Sequence, residues 1–284
     1  MSKLKLRINQ LITKFLNAIS PKLYFTICYF KHRGHLPNFK NPKDLSEIVI
    51  SQILSGKINQ YSKYVDKIEV RQYIEEWGWG EYLPKIYGTW DKPEDIEFDS
   101  LPNSFALKTN HGCGKHYICK DKSKLDKELA IKTINDALNT KFGRVEKQYS
   151  QIKPRCFAEE YIDDGTGNLP LDYKFMTCDG EIKAILICVG RSTGIRLGFY
   201  DLNWKKRAGI RAYERYEGDL EKPKSLEKMI EIAQDIAKKF PQVRVDLYCL
   251  PNGKIYFGEL TFTPEGGLVR YFTNEAVTEL GHNK

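Results

Sequence analysis

Residues 243–261 read Val243-Arg-Val-Asp-Leu-Tyr-Cys-Leu-Pro-Asn-Gly-Lys-Ile-Tyr-Phe-Gly-Glu-Leu-Thr261. Two alternating runs flank Asn252-Gly253, and Asn-Gly is a strong hairpin signal because both central residues of a type I′ turn need positive φ. A two-residue turn there pairs positions whose numbers sum to 505, so Asp246 faces Glu259 and Arg244 faces Thr261. Period-two alternation puts Arg244 and Asp246 on one face and Val243, Val245 and Leu247 on the other. Glu259 and Thr261 share the polar face. Two carboxylates directly across a strand pair repel each other. Either this face is solvated and Arg244 offsets its acids, or the acids hold a cation. Hard oxygen donors on adjacent strands suit Mg²⁺, which takes one or two carboxylates plus substrate phosphates. Arg244 beside them suits charge developing on a transferred phosphoryl group.

Upstream, Phe105-Ala-Leu-Lys-Thr-Asn-His-Gly-Cys-Gly-Lys115 delivers Lys108 on a strand and then a loop containing Gly112 and Gly114. Such a loop can bring backbone N–H groups close to phosphates, with Lys108 as a point charge. The spacing of a Walker P-loop is absent, and an ordinary hairpin is the competing reading. Further strands are expected at Tyr117–Cys119 and Cys156–Ile162, and a hairpin over Asp172–Ile187 around Asp179-Gly180. Helices are expected at Leu45–Leu54, Ile68–Trp77, Leu125–Leu138 and Leu226–Phe240, with a loop over Gly34–Pro42. Hairpin-grouped strands with separate helices predict an α+β fold with antiparallel sheets.

The first residues, Ser2 to Ile19, carry apolar side chains at the spacing of one helical face, interleaved with Lys3, Lys5, Arg7 and Lys14. This basic amphipathic helix packs on the protein's own core or lies on an anionic membrane. It has no signal-peptide layout. The seven cysteines make neither a zinc spacing nor a disulfide framework, which points to free thiols in a reducing cytoplasm. A net charge of +8 implies anionic company without saying which.

Taken in order, a lysine before a glycine loop, a strand ending in Glu-Glu, an R-x-D strand and a following strand with Glu resemble the ATP-grasp fold. More closely, the chain resembles the TupA-like ATP-grasp family, which is associated with bacterial surface polymers such as teichuronopeptide and capsule. The shared pattern runs from about Asn41 to Gly267. It includes Asn41-Pro-Lys43, Tyr64-Val-Asp-Lys67 before Val70-Arg71, Leu101-Pro102 entering the Lys108 strand, Asp172-Tyr-Lys-Phe175 and Tyr256-Phe-Gly-Glu-Leu-Thr-Phe-Thr-Pro264.

That resemblance implies roles for particular residues. Lys108 would hold ATP phosphates under a lid formed by the Gly112–Gly114 loop. Phe157-Ala-Glu-Glu-Tyr-Ile162 would be the hinge, with Glu159 at the adenine edge and backbone contacts near Glu160 and Ile162. Asp163 or Asp164 would reach the ribose. Lys174, on the same face as Asp172, would be a second phosphate contact. Asp246 and Glu259 would bind Mg²⁺, and Arg244 would stabilise the acyl-phosphate transition state. Where many ATP-grasp enzymes carry Asn, this chain has Thr261, which offers the metal one oxygen. His111 is either a phosphate contact or a loop histidine. Implied subdomains are 1–100 (helical, substrate), 101–156 (lid) and 157–284 (catalytic).

The implied activity is ATP-dependent carboxylate–amine ligation, with a uronic-acid sugar or related carboxylate as the implied substrate. The alternatives are phosphotransfer or glycosyltransferase-like chemistry in capsule synthesis, and non-catalytic binding of anionic polymer. The partners expected are a carboxylate and an amine, not nucleic acid, with membrane contact only through the N-terminal helix. An acceptor pocket is expected near Arg191, Arg196, Lys205, Lys206, Arg207 and Arg211, unless these cations form a solvated loop. Trp77-Gly-Trp-Gly80 is expected to pack in the core rather than to form a sugar platform.

Overall fold

The computed structural model describes residues 20–112, 114–140, 145–165, 169–190 and 194–282. The expected amphipathic helix at Ser2–Ile19 and the cation Arg191 lie outside these residues. Eight α-helices occur among the described residues: α1 (Pro21–Arg33), α2 (Leu45–Ser55), α3 (Ser62–Val65), α4 (Val70–Glu76), α5 (Lys127–Leu138), α6 (Lys147–Ser150), α7 (Leu226–Ala237) and α8 (Asn274–Glu279). Among them none is long and apolar enough to cross a membrane.

Strands β1 (Ile86–Trp90), β2 (Phe105–Thr109), β3 (Tyr117–Cys119) and β4 (Cys156–Glu159) form one sheet in the order β1-β4-β2-β3. Strands β5 (Asp172–Cys178), β6 (Glu181–Val189), β7 (Arg196–Tyr200), β8 (Gln242–Cys249) and β9 (Ile255–Thr261) form a second, in the order β7-β6-β5-β8-β9. Every paired strand is antiparallel. The α+β fold with antiparallel sheets is therefore as expected. The first sheet draws its strands from residues 86–159, so β1 comes from the segment expected to be helical.

Each sheet buries one face under a helix. In α5, capped by Asp126 accepting from the Leu129 N–H, Ala130, Ile134 and Ala137 are buried at helical spacing. Ala130 and Ile134 meet Phe105, Leu107 and Ala158, so the opposite face of β2 and β4 presents Lys108 and Glu159. Under the second sheet, Met229, Ile232, Ala233 and Ile236 of α7 pack on Phe175, Ile185, Val243, Val245 and Leu247. The alternation in β8 thus turns Arg244 and Asp246 the other way.

The two hairpin turns behave differently. Asp179 and Gly180 both have positive φ (54° and 73°), and Cys178 pairs with Glu181, as a two-residue turn requires. At the second hairpin the Gly253 N–H donates to Leu250 O (2.8 Å) and the Leu250 N–H to Lys254 O (2.9 Å). The loop is therefore three residues, Pro251 to Gly253, and not the expected two. A two-residue turn would need the N–H of residue 251 in its closing pair, and proline has none. Proline instead suits the second position of a type I turn, with Gly253 (φ 93°) in the left-handed region behind it.

That shift moves Cys249 opposite Ile255 and Leu247 opposite Phe257, one residue off the expected register. A β-bulge at Gly258 then inserts one residue and restores Asp246 opposite Glu259 and Arg244 opposite Thr261. Two one-residue displacements cancel before the polar face is reached. A Cβ on Gly258 would stand 2.9 Å from the Asp246 carbonyl oxygen, so only glycine fits the bulge without displacement. Gly258→Ala is expected to lower the melting temperature by several degrees, as strain of roughly 1–3 kcal/mol implies. A variant that melts like the parent would show that the bulge is not required.

Strands β1 and β7 and helix α1 were not expected. Strand β1 contains Gly88 and is bulged between Ile86 and Gly88; its partner β4 lies some seventy residues away, so no local signal sets it. In α1 the signals were present: Ser20 caps through its side chain to the Leu23 N–H, Pro21 opens the helix and Gly34 (φ 81°) ends it.

Candidate active site

A cleft of about 520 Å³ runs between the two sheets. Ala106, Lys108, Ile118 and Glu159 line it from the first sheet, and Asp172, Asp246, Tyr248 and Glu259 from the second. Glu160, Tyr161 and Ile162 form the connection at one end, and Gly112, Gly114, Lys115 and His116 cover one side.

The ladder explains which side chains meet. Lys174 stands opposite Asp246 across β5 and β8. Its ammonium lies 2.5 Å from Asp246 Oδ2 and 2.6 Å from Asp172 Oδ2. Arg244 donates Nε to Asp246 Oδ1 (2.7 Å) and Nη2 to Oδ2 (2.6 Å), and reaches Glu259 Oε1 at 3.5 Å. Arg244 also donates to the Thr261 hydroxyl (3.0 Å), which in turn donates to Glu259 Oε1 (3.3 Å). On the facing sheet Lys108 pairs with Glu159.

One participant was missed by the sequence reading of the site. The Lys67 ammonium lies 3.0 Å from Glu259 Oε2 and donates to the Gly112 carbonyl (2.9 Å), so it joins the second sheet to the glycine loop. Its signal lies in Tyr64-Val-Asp-Lys67, a stretch that the family resemblance includes without giving Lys67 a role. The neighbouring backbone is fixed by Asn110, fully buried. Asn110 Nδ2 donates to Asp66 Oδ2 (2.7 Å) and Lys153 O (3.0 Å), and Asn110 Oδ1 accepts from the Arg155 N–H (2.8 Å).

These contacts set the charges. Burial and Arg244 oppose charge on Lys174, but Asp246 and Asp172 outweigh them and raise its pKa above the ordinary lysine value. Burial likewise works against Glu259, yet Lys67, Arg244 and Lys174 hold its carboxyl well below the usual range. Burial pushes the Asp246 carboxyl up. A guanidinium and an ammonium within 2.7 Å of its oxygens oppose that shift. Of the two carboxylates, Glu259 can meet a divalent cation: it is 32% exposed toward the cleft and held only by the Lys67 ammonium and, at longer range, by Arg244 and Thr261. Asp246, only 2% exposed, has both oxygens engaged by protein cations.

Other expected residues fall as follows. Glu160 turns its carboxylate to Tyr256 Oη (2.5 Å) and Lys254 (3.5 Å), and its N–H donates to Lys85 O (2.8 Å). It ties the connection to β9 and β1. Asp163 accepts from the Gly165 N–H (2.5 Å) and does not line the cleft. His111 is buried against the backbone of Leu138 and Thr140, and burial lowers its pKa. Lys206 bonds Glu217 O and Gly218 O, Arg207 pairs with Glu279, and Arg211 bonds Arg270 O and His32 O. Among the described residues of the expected acceptor stretch, Ile195 lines the cleft and those cations do not. Trp77 packs with Tyr64, Tyr73 and Phe240, as core.

The family model described as TupA-like ATPgrasp matches residues 47–283. The chain belongs to the TupA-like ATP-grasp family. Its two antiparallel sheets with an intervening cleft are this family member's ATP-grasp fold, and no curated protein matches its sequence. Several solved structures are similar to this TupA-like chain. One is an ADP complex of purK, N5-carboxyaminoimidazole ribonucleotide synthetase (15% identity, TM-score 0.47, 72% of this chain and 46% of that one). Another is the L-amino acid ligase from Bacillus licheniformis (12%, 0.48, 81% and 52%). A third is D-alanine–D-alanine ligase from Bacillus anthracis complexed with ATP (19%, 0.41, 70% and 55%). The TupA-like chain spans about half the length of these structures.

Proposed function

We propose that this chain is an ATP-dependent ligase that activates a carboxylate as an acyl phosphate and joins it to an amine. The observation that carries this reading is the convergence of Lys67 and Lys108 with Asp246 and Glu259 at one cleft between two sheets, with Lys174 and Arg244 bonded to Asp246 behind its wall. A carboxylate resists amines because oxide would have to leave; phosphorylation gives it a leaving group. For that chemistry a protein needs positioning, charge and exclusion of water rather than a covalent nucleophile.

In this reading ATP is the phosphoryl donor; Glu259 would hold Mg²⁺, which would supply charge neutralisation, and Asp246 would reach the ion only by releasing Arg244 or Lys174. Lys108 and Lys67 bind phosphates from opposite sides of the cleft, and Lys67 gives up Glu259 as it does so. Lys174 and Arg244 hold Asp246 in place, and Arg244 balances charge on the transferred group. Thr261 serves the metal site indirectly, since its hydroxyl is spent between Arg244 and Glu259. The segment through Gly112 acts as the lid, with Glu160 to Ile162 as the hinge beside adenine. A uronic-acid sugar or related carboxylate of bacterial surface polysaccharide is the substrate class we favour. The family's association with such polymers and the net charge of +8 support it.

Hydroxylamine traps acyl phosphates as hydroxamates. Incubation with Mg-ATP, hydroxylamine and a panel of uronic acids and amino acids is expected to yield hydroxamate together with ADP. ADP release with a phosphorylated product and no hydroxamate would replace ligation by phosphotransfer. No turnover with any acid would count against an enzyme of this substrate class.

A further inference from the structure

At the end of β5 remote from the cleft, three unlike donor atoms converge. Cys178 closes the strand, Asp179 opens the two-residue turn, and His282 follows α8. The Cys178 sulfur, an Asp179 carboxylate oxygen and a His282 ring nitrogen all lie within 4.8 Å of one another. Sγ is 3.9 Å from His282 Nδ1, and Asp179 Oδ1 is 2.7 Å from the same nitrogen.

The shared nitrogen is the informative detail. A single imidazole nitrogen carries either a proton or a lone pair. As a donor it serves Asp179 and turns its N–H past the thiol; as an acceptor it serves the thiol and sets its lone pair against the carboxylate. It cannot satisfy both neighbours at once, and the thiol's other partner in the cluster is the Asp179 carboxylate itself. A cation at their common centre satisfies all three.

We propose that Cys178, Asp179 and His282 bind a zinc-class divalent cation, with water completing a tetrahedron. Bonds of about 2.0–2.3 Å place tetrahedral donors roughly 3.3–3.8 Å apart. The sulfur–nitrogen separation nearly meets this already. The oxygen–nitrogen pair must open by roughly 0.6 Å to reach it. Rotation of Asp179 and His282, whose side chains are 31% and 42% exposed, provides that movement. Cys178 is fully buried and its strand is paired on both sides, opposite Glu181 and Gln242, so the sulfur is preset. On binding, the thiol releases its proton to solvent and coordinates as thiolate. A thiolate in the set selects against Mg²⁺ and Ca²⁺, which prefer oxygen. The site clamps the segment after α8 to the β5–β6 hairpin. It lies six residues along β5 from Asp172, roughly 20 Å, so it stands apart from the nucleotide cleft and from the ligase reading.

Cobalt(II) is the probe. Titrated into the reduced, chelator-treated full chain, it is expected to give a thiolate-to-cobalt absorption band that saturates at about one metal per chain and is bleached by Zn²⁺. Cys178→Ser should abolish the band. His282→Ala, at an exposed position, should weaken cobalt binding at least as much as loss of an outer-sphere partner does, roughly 10–100-fold. A wild-type chain without the band would overturn the proposal. So would an unchanged band in Cys178→Ser, since another of the seven thiols would then hold the metal. If Cys178→Ser misfolds by circular dichroism, His282→Ala decides alone, and wild-type affinity in it refutes the site.

Discussion

Arg244→Leu is expected to reduce turnover by roughly 10³-fold, the scale for loss of a group that meets developing charge in a desolvated site. It should also destabilise the protein by roughly 3 kcal/mol, because it strips a two-point partner from an anion buried to 2% exposure. In a domain of this size that corresponds to a fall in melting temperature of roughly 6–12 °C. Lys174 remains beside Asp246, so the loss stays at the low end of the range for a broken buried pair. Arg244→Lys separates the two effects. It keeps the charge and loses the fork that spans both Asp246 oxygens, the Thr261 hydroxyl and Glu259. Stability should recover in part while turnover stays low. A leucine variant within tenfold of wild-type turnover would remove Arg244 from the proposed chemistry.

Glu259→Gln is the second large effect. Wild-type protein is expected to melt higher with Mg²⁺ and ATP together, by the mass-action rise that any ligand specific for the native state produces. In the glutamine variant that rise should vanish, because the amide keeps the shape and removes the charge that meets Mg²⁺. A magnesium-dependent shift surviving in the variant would exclude Glu259 as the metal contact. No shift in the wild type at millimolar nucleotide would put the nucleotide site itself in doubt. The variant carries a pH signature as well. Lys67, Arg244 and Lys174 depress the folded-state pKa of Glu259 below its unfolded value of about 4.3. The stabilisation this brings is present above that pH and is lost as pH falls toward the folded value. Wild type should therefore exceed the variant in stability at pH 7, by a margin that narrows steadily as pH falls below about 4.

Much of the site was legible because its spacing is local. Residues two apart on one strand share a face whatever the rest of the chain does, so Arg244 with Asp246 and Glu259 with Thr261 followed from sequence alone. Their mutual register followed for an incomplete reason. Pro251 moved the turn and Gly258 moved the ladder back, and the two shifts cancel only because both lie between the turn and Asp246. Lys67 was visible as a motif but not as a cleft residue. Its place depends on Asn110 binding Asp66, forty-four positions before it, and the Arg155 backbone, forty-five positions after it.

By itself, the sequence determined the strand alternation, the α7-facing apolar stripe, the Asp179-Gly180 turn and the family pattern, all properties of short segments. The tertiary structure alone decided which strands became neighbours, and with that where β1 lies and why Lys67 meets Glu259. It also decided that Lys206, Arg207 and Arg211 bond to the protein's own carbonyls and carboxylates, and that Cys178, Asp179 and His282 meet. The physical reason is loop closure. Contacts between distant segments are set by which arrangement of the whole chain buries its apolar faces and satisfies its polar groups together, and no window of neighbouring residues carries that information.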